Sequence, residues 1–162
     1  MMDLETERAT AFTEDELEDA VEGYLECAGW LVNDHELATD EEREQGYEGD
    51  HREGPFTQDA YESARGALSE FVWALDDPAD VRAYLHAMSS ACPEDGHCTY
   101  GCGGEPAGGQ LGHDLWLTRN GHGAGFWDRG LGELGERLSE AARSLGEAYA
   151  FVNAEEWVDI DN

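Results

Sequence analysis

The 162-residue chain contains no lysine. Its nine cations are all Arg and stand against 38 Asp and Glu, giving a formal net charge of −29. With so few cations and no basic patch, direct binding to DNA or RNA phosphate is not expected. No apolar run approaches the ~20 residues of a membrane helix, so no membrane association is expected either. The opening MMDLETERAT lacks the apolar core of a secretory signal, which points to a cytoplasmic protein. No glycine-rich loop follows a strand and opens a helix, as phosphate-binding loops do. The stretch His122-Gly123-Ala124-Gly125 has the look of an esterase oxyanion loop. That chemistry needs a serine in a G-x-S-x-G elbow, and no serine here sits in one.

What is present suffices for one domain over residues 1–162. Apolar residues make up 40%, with five Trp, six Tyr and five Phe, too many for a disordered chain. The acidity is uneven: residues 1–54 hold 19 acids against 3 Arg, whereas residues 111–162 hold 10 against 4. Two explanations compete. Short carboxylates hold water and suit a cytoplasm of very high salt, where self-repulsion is screened. Alternatively, carboxylates spaced like phosphates occupy a protein's nucleic-acid groove. The concentration in the first third favours a specific acidic surface.

Hydrophobic patterning predicts an α+β fold: about four amphipathic helices with a small antiparallel sheet made of two hairpins. Residues 1–12 read as frayed. Thr13 and Glu16 form a capping box, and Leu17, Val21, Tyr24, Leu25 and Ala28 share the buried face of a first helix. Its other face carries Glu14, Asp15, Glu18, Asp19, Glu22 and Glu26, which repel one another with nothing local to offset them. Residues 33–54 read as a long polar loop. Phe56 and Tyr61 suggest a hydrophobic staple opening a second helix, whose apolar stripe runs through Tyr61, Ala64, Leu68, Phe71, Val72 and Leu75. Asp77 as N-cap and Pro78 at the first position open a third, with Val81, Leu85 and Met88 buried. Residues 91–110, rich in Gly and Pro, read as a second long loop. Leu115–Thr118 is β-prone, Asn120-Gly121 is a strong hairpin-turn signal, and Ala124–Asp128 would return as the partner strand. A fourth helix buries Leu131, Leu134, Leu138, Ala141, Ala142 and Leu145 and ends at Gly146. Ala148–Val152 and Trp157–Ile160 read as the second hairpin.

The run from Gly112 to Arg129, GHDLWLTRNGHGAGFWDR, carries a resemblance. With the Leu-rich segment to residue 146, it is similar to a widespread family of small, mostly uncharacterised proteins encoded by bacteriophages and related viruses. The family signature is a Gly-His-Asp-aromatic-Trp-Leu-Thr-Arg-Asn stretch followed by Gly-His-Gly-Ala-Gly-Phe-Trp-Asp-Arg. Leu115 stands where Phe is usual, and YLECAGWLVND, residues 24–34, resembles the family's first helix. The Cys-bearing loop and the extreme acidity depart from the pattern. The resemblance implies a viral or proviral accessory protein and no known activity.

Two constellations remain. His113, Asp114, Asn120, His122, Asp128 and Arg129 could gather at one end of the first hairpin, where a His beside a carboxylate acts as general base. The plainer reading pairs Arg119 or Arg129 with Asp114 or Asp128 across the strands. It buries Trp116 and Phe126 and turns Trp127 outward as an anchor for a partner. Cys92, His97, Cys98 and Cys102 are zinc-type ligands in a flexible loop, though their spacing is not that of a standard zinc knuckle. A disulfide or free thiols are the alternatives, and Cys27 should be packed against the first helix's apolar face. The expectation is therefore an acidic accessory protein without a cofactor, zinc being the exception to watch. It would bind a basic host protein, for instance a defence nuclease, through the first-helix acids together with Asp114, Arg119, Asn120, His122, Trp127, Asp128 and Arg129. A hydrolase on residues 113–129 and a virion component with a halophilic surface are the competing expectations.

Overall fold

The computed structural model describes residues 3–33, 56–91, 106–155 and 157–162. Among these residues lie six α-helices, a short 3-10 turn and one antiparallel strand pair. The helices are α1 Leu4–Ala9, α2 Glu14–Asn33, α3 Gln58–Ala74, α4 Ala79–Ala91, α5 Ala107–Arg119 and α6 Glu133–Ser144. The 3-10 turn spans Phe126–Asp128, and strands β1 Tyr149–Val152 and β2 Val158–Asp161 close the chain.

The local start signals operate as the sequence suggests. Thr13 and Glu16 exchange capping-box hydrogen bonds, the Thr13 amide donating to Glu16 Oε2 at 2.8 Å and the Glu16 amide to Thr13 Oγ1 at 3.2 Å. Thr57 caps α3 by accepting from the Ala60 amide, and the Phe56 and Tyr61 rings meet edge-on at 6.4 Å as the staple. Asp77 Oδ1 accepts from the Ala79 amide at 2.9 Å at the head of α4. The N-terminus differs from expectation. Asp3 caps α1 through the Thr6 amide. Arg8 then holds that helix down, donating to the Leu75 carbonyl at 3.0 Å and lying 4.8 Å from the Trp73 ring centroid.

The larger correction concerns the first hairpin. Leu115–Thr118 is not a strand but the last turn of α5, which also takes in residues 107–110 of the expected loop. Ten of its thirteen residues are buried, because it lies against α2 on one side and α4 and α6 on the others. A helix covered all round has no polar stripe, so its period is invisible in the sequence. Asn120-Gly121 does not turn a hairpin. It ends the helix as a Schellman motif, with Gly121 at φ +69°. The Gly121 amide donates to Thr118 O, and the His122 amide to Leu117 O at 3.0 Å. Both structures demand a left-handed residue at that position, hence the ambiguity. The return strand is absent too; Phe126–Asp128 forms the 3-10 turn.

Close helix packing sets the centre of the fold. A Cβ added at Gly23 would land on the Gly109 carbonyl, and one at Gly112 on the Ala20 carbonyl. Glycines at these places let the α2 and α5 backbones touch. Trp116 meets Tyr24 edge-on at 5.1 Å beside this seam. Phe126, fully buried, stacks on Phe71 at 5.4 Å and meets Tyr84 edge-on at 5.3 Å. The second hairpin forms as expected. Its register pairs Tyr149 with Asp161 and Phe151 with Asp159. Val158 and Ile160 face the core, whereas Tyr149 and Phe151 face out.

Candidate functional site

Asp114, fully buried on α5, is the hub of one polar cluster. Arg129 grips it with Nε at 3.0 Å from Oδ2 and a terminal nitrogen at 2.7 Å from Oδ1. The Tyr84 hydroxyl donates to Oδ2 at 2.6 Å, and Gln110 Nε2 to Oδ1 at 3.3 Å. The hydrogen bond to Asp114 raises the Arg129 pKa above its ordinary value. Burial, with the Asp114 charge adding to it, pushes the Tyr84 hydroxyl well above its usual range. A buried carboxylate this fully satisfied holds the turn after α5 against α4; it has no free lone pair aimed at solvent.

Arg119 forms a second cluster. Its guanidinium caps the far end of α6, donating to Gly146 O at 2.8 Å and Leu145 O at 3.2 Å, where the helix dipole is negative. The same group reaches the Tyr24 hydroxyl at 2.8 Å and Asn162 Oδ1 at 2.9 Å. Burial pushes the Tyr24 hydroxyl up to about 12, against the lowering effect of Arg119. Asn120 donates to Trp116 O at 2.9 Å and accepts from the Ala148 amide at 2.8 Å, tying α5 to the strand pair. Thr118 Oγ1 accepts from the Phe126 amide at 3.1 Å.

The 112–129 stretch is thus mainly a tie between helices. Asp114, Arg119, Asn120 and Arg129, expected at a partner surface, are turned inward. Arg129 pairs with Asp114 as expected, but between a helix and the loop after it rather than across two strands, and Arg119 meets carbonyls rather than a carboxylate. Trp127 and Asp128 are exposed and His122 half-buried, so these three remain on the surface. His113 Nε2 sits 3.2 Å from Glu26 Oε2 on α2, with the Trp30 ring 6.0 Å away. The His–carboxylate contact in this region therefore joins two helices rather than two residues of the stretch.

Among the described residues, most of the scarce cations are spent internally. Arg82 pairs with Glu16 at 2.6 Å, Arg137 with Asp80 at 2.7 Å and Arg129 with Asp114. The Arg82 hydrogen bonds hold the Glu16 carboxyl below its ordinary value of 4.5. Along α2, by contrast, Asp15, Glu18, Asp19 and Glu22 have no ion-pair partner among the described residues. Glu14 comes only within 3.9 Å of Arg65, both well exposed, a pairing worth little in water. On a helix of 100° per residue, Asp15, Glu18, Asp19, Glu22 and Glu26 fall in a stripe about 100° wide over an axial rise of about 16 Å. Asp15, Glu18 and Glu22 are exposed; Asp19 and Glu26 are half-buried.

Cys27 is buried as expected, its thiol pushed up to about 12 by burial. Cys92, His97, Cys98 and Cys102 lie outside the described residues, as do residues 34–55, where a long polar loop is expected. Among the described residues no group of three or more His, Cys, Asp or Glu could hold a metal ion. No described helix is long and apolar enough to cross a membrane. Comparison with protein-family models, with curated proteins and with solved structures finds no match for the chain.

Proposed function

We propose that this chain is an acidic accessory protein of viral or proviral origin that binds the basic, nucleic-acid-handling surface of a host protein in the cytoplasm. A defence nuclease is the kind of target meant. The reading rests on one observation: along the α2 stripe Asp15, Glu18, Asp19 and Glu22 have no ion-pair partner among the described residues. With Glu26, which faces His113, they make five carboxylates over about 16 Å, roughly one per 3–4 Å, the linear density of phosphates along one DNA strand. An Arg- and Lys-lined groove meets in it a rigid substitute for a nucleic-acid backbone. The resemblance of residues 111–146 to phage-encoded proteins supplies the biological setting.

The test is affinity capture from host lysate at low and high salt, with duplex DNA as competitor. It is run with the native chain and with the triple variant Asp15→Asn, Glu18→Gln, Glu22→Gln. The native chain should retain basic proteins that both salt and DNA release, and the variant should lose them. Retention that ignores salt, DNA and the substitutions overturns the proposal. So does a chain that folds only in molar salt and captures no basic protein, which is the signature of a halophilic surface.

A further inference from the structure

The β1–β2 hairpin presents an outer face that no described element covers. Tyr149 is 64% exposed, Phe151 40% and Trp157 43%. Tyr149 and Phe151 alternate on one strand and so point the same way. The register sets Asp161 directly opposite Tyr149 and Asp159 opposite Phe151. The Cβ atoms of residues opposite one another stand about 5 Å apart, so each aromatic residue has an aspartate directly across from it. Asp159 is partly engaged, accepting from Thr57 Oγ1 at 3.0 Å, whereas Asp161 is exposed and has no ion-pair partner among the described residues. After Arg143 the sequence contains five acids and no cation.

Three exposed aromatics beside acids that have no cation among the described residues narrow the occupant. A second copy would set carboxylate against carboxylate on a chain of net charge −29. A purely apolar partner would leave the carboxylates desolvated. A guanidinium answers both demands: its plane stacks on an aromatic ring while its edge bonds a carboxylate in bidentate fashion, which an ammonium cannot do. We infer that the outer face of this hairpin is a docking surface for an arginine-bearing peptide segment of a partner protein, with Arg side chains stacked on Tyr149 and Trp157 and paired with Asp161. The inference deepens the proposed function, resting on it for the sign of the partner's charge, but it uses a surface separate from the α2 stripe.

Calorimetric titration of the full chain with capped (Arg-Gly)5 and (Lys-Gly)5 peptides tests it, because the two probes match in charge and spacing. The Arg peptide should bind at least about threefold tighter, the gain expected from one or two exposed stacking contacts. The double variant Tyr149→Ser, Trp157→Ser should erase that preference. Asp161→Asn, which keeps the rings in place, should weaken the Arg peptide more than the Lys peptide. The α2 triple variant should lower both affinities alike and keep the preference, while the hairpin variants should still capture DNA-competed proteins. The two surfaces can therefore fail separately. Equal affinity for the two peptides, unmoved by the hairpin substitutions, overturns the inference. So does micromolar self-association that the double variant abolishes, because the occupant would then be a second copy.

Discussion

Gly112→Ala and Gly66→Ala make the same chemical change in two helices and should shift stability in opposite directions. In a helix interior the change is worth about 0.8–1.0 kcal/mol in favour of Ala. At Gly66, on the exposed side of α3, nothing lies within 4 Å of the new methyl, so that gain should appear nearly whole. At Gly112 the methyl would land on the Ala20 carbonyl oxygen and come within 2.6 Å of the Tyr24 amide nitrogen and 3.0 Å of the Ala20 carbonyl carbon. These are backbone atoms of α2 and cannot rotate aside. Restoring ordinary contact requires the methyl and that oxygen to part by more than 1 Å, and a gap of even about 1 Å between α2 and α5 forfeits up to about half of each contact's attraction along the seam. The edge-on contact of Trp116 with Tyr24 lies beside that seam. Overpacking of this kind costs about 1–3 kcal/mol or more, with backbone obstruction at the upper end, so a net loss of about 2 kcal/mol is expected. Urea unfolding followed by far-ultraviolet circular dichroism should place the Gly112→Ala midpoint about 1 M below the parent, for a slope near 2 kcal/mol per molar. A Gly112→Ala protein as stable as the parent, beside a Gly66→Ala protein that gains, would refute the backbone-contact reading of the seam.

Three further expectations follow from the polar clusters. Arg129→Met strands the fully buried Asp114 carboxylate and should cost about 3–5 kcal/mol by chemical denaturation, whereas a loss below about 1 kcal/mol would make the pair no better than a surface contact. Glu16 has its folded-state pKa held below its ordinary 4.5 by Arg82, so its contribution to stability is complete above pH 4.5 and is lost as pH falls through the lowered value. Replacing Arg82 with Met should flatten that part of the acid-unfolding curve, and an unchanged curve would argue against the assignment. With Cys92, Cys98 and Cys102 replaced by Ser, the remaining Cys27 thiol, buried and pushed up to about 12, should resist an aromatic disulfide reagent at pH 8 until denaturant is added; prompt labelling of the native protein would contradict its burial.

Much of this architecture is written locally. The capping box at Thr13, the Phe56–Tyr61 staple, the Asp77 cap and the Gly146 terminus each depend on residues a few positions apart, and the final strand pair on residues no more than twelve apart. Such contacts form with little long-range help, so spacing alone reveals them. The acidic stripe of α2 is equally legible, because it needs only the helical repeat. The exposed aromatic face of the hairpin was within reach of the same reasoning: alternation places Tyr149 and Phe151 together, and the lack of any cation after Arg143 sets its electrostatic character.

Tertiary structure alone decided the conformation and role of residues 107–129. Ala107–Arg119 is a helix because α2, α4 and α6 surround it, and burial on every side removes the amphipathic period that would have announced it. Asn120-Gly121 satisfies a helix terminus and a hairpin turn equally well, so the choice falls to what the flanking segment packs against. Which carboxylates stay charged toward solvent is likewise a three-dimensional outcome. Arg129, Arg119 and Arg82 reach partners fifteen or more positions away, and only the folded chain shows that Asp114 is paired with Arg129 while Glu18 and Glu22 have no cation beside them among the described residues. Local sequence sets where charge sits along the chain, but long-range packing sets where the few counter-charges end up.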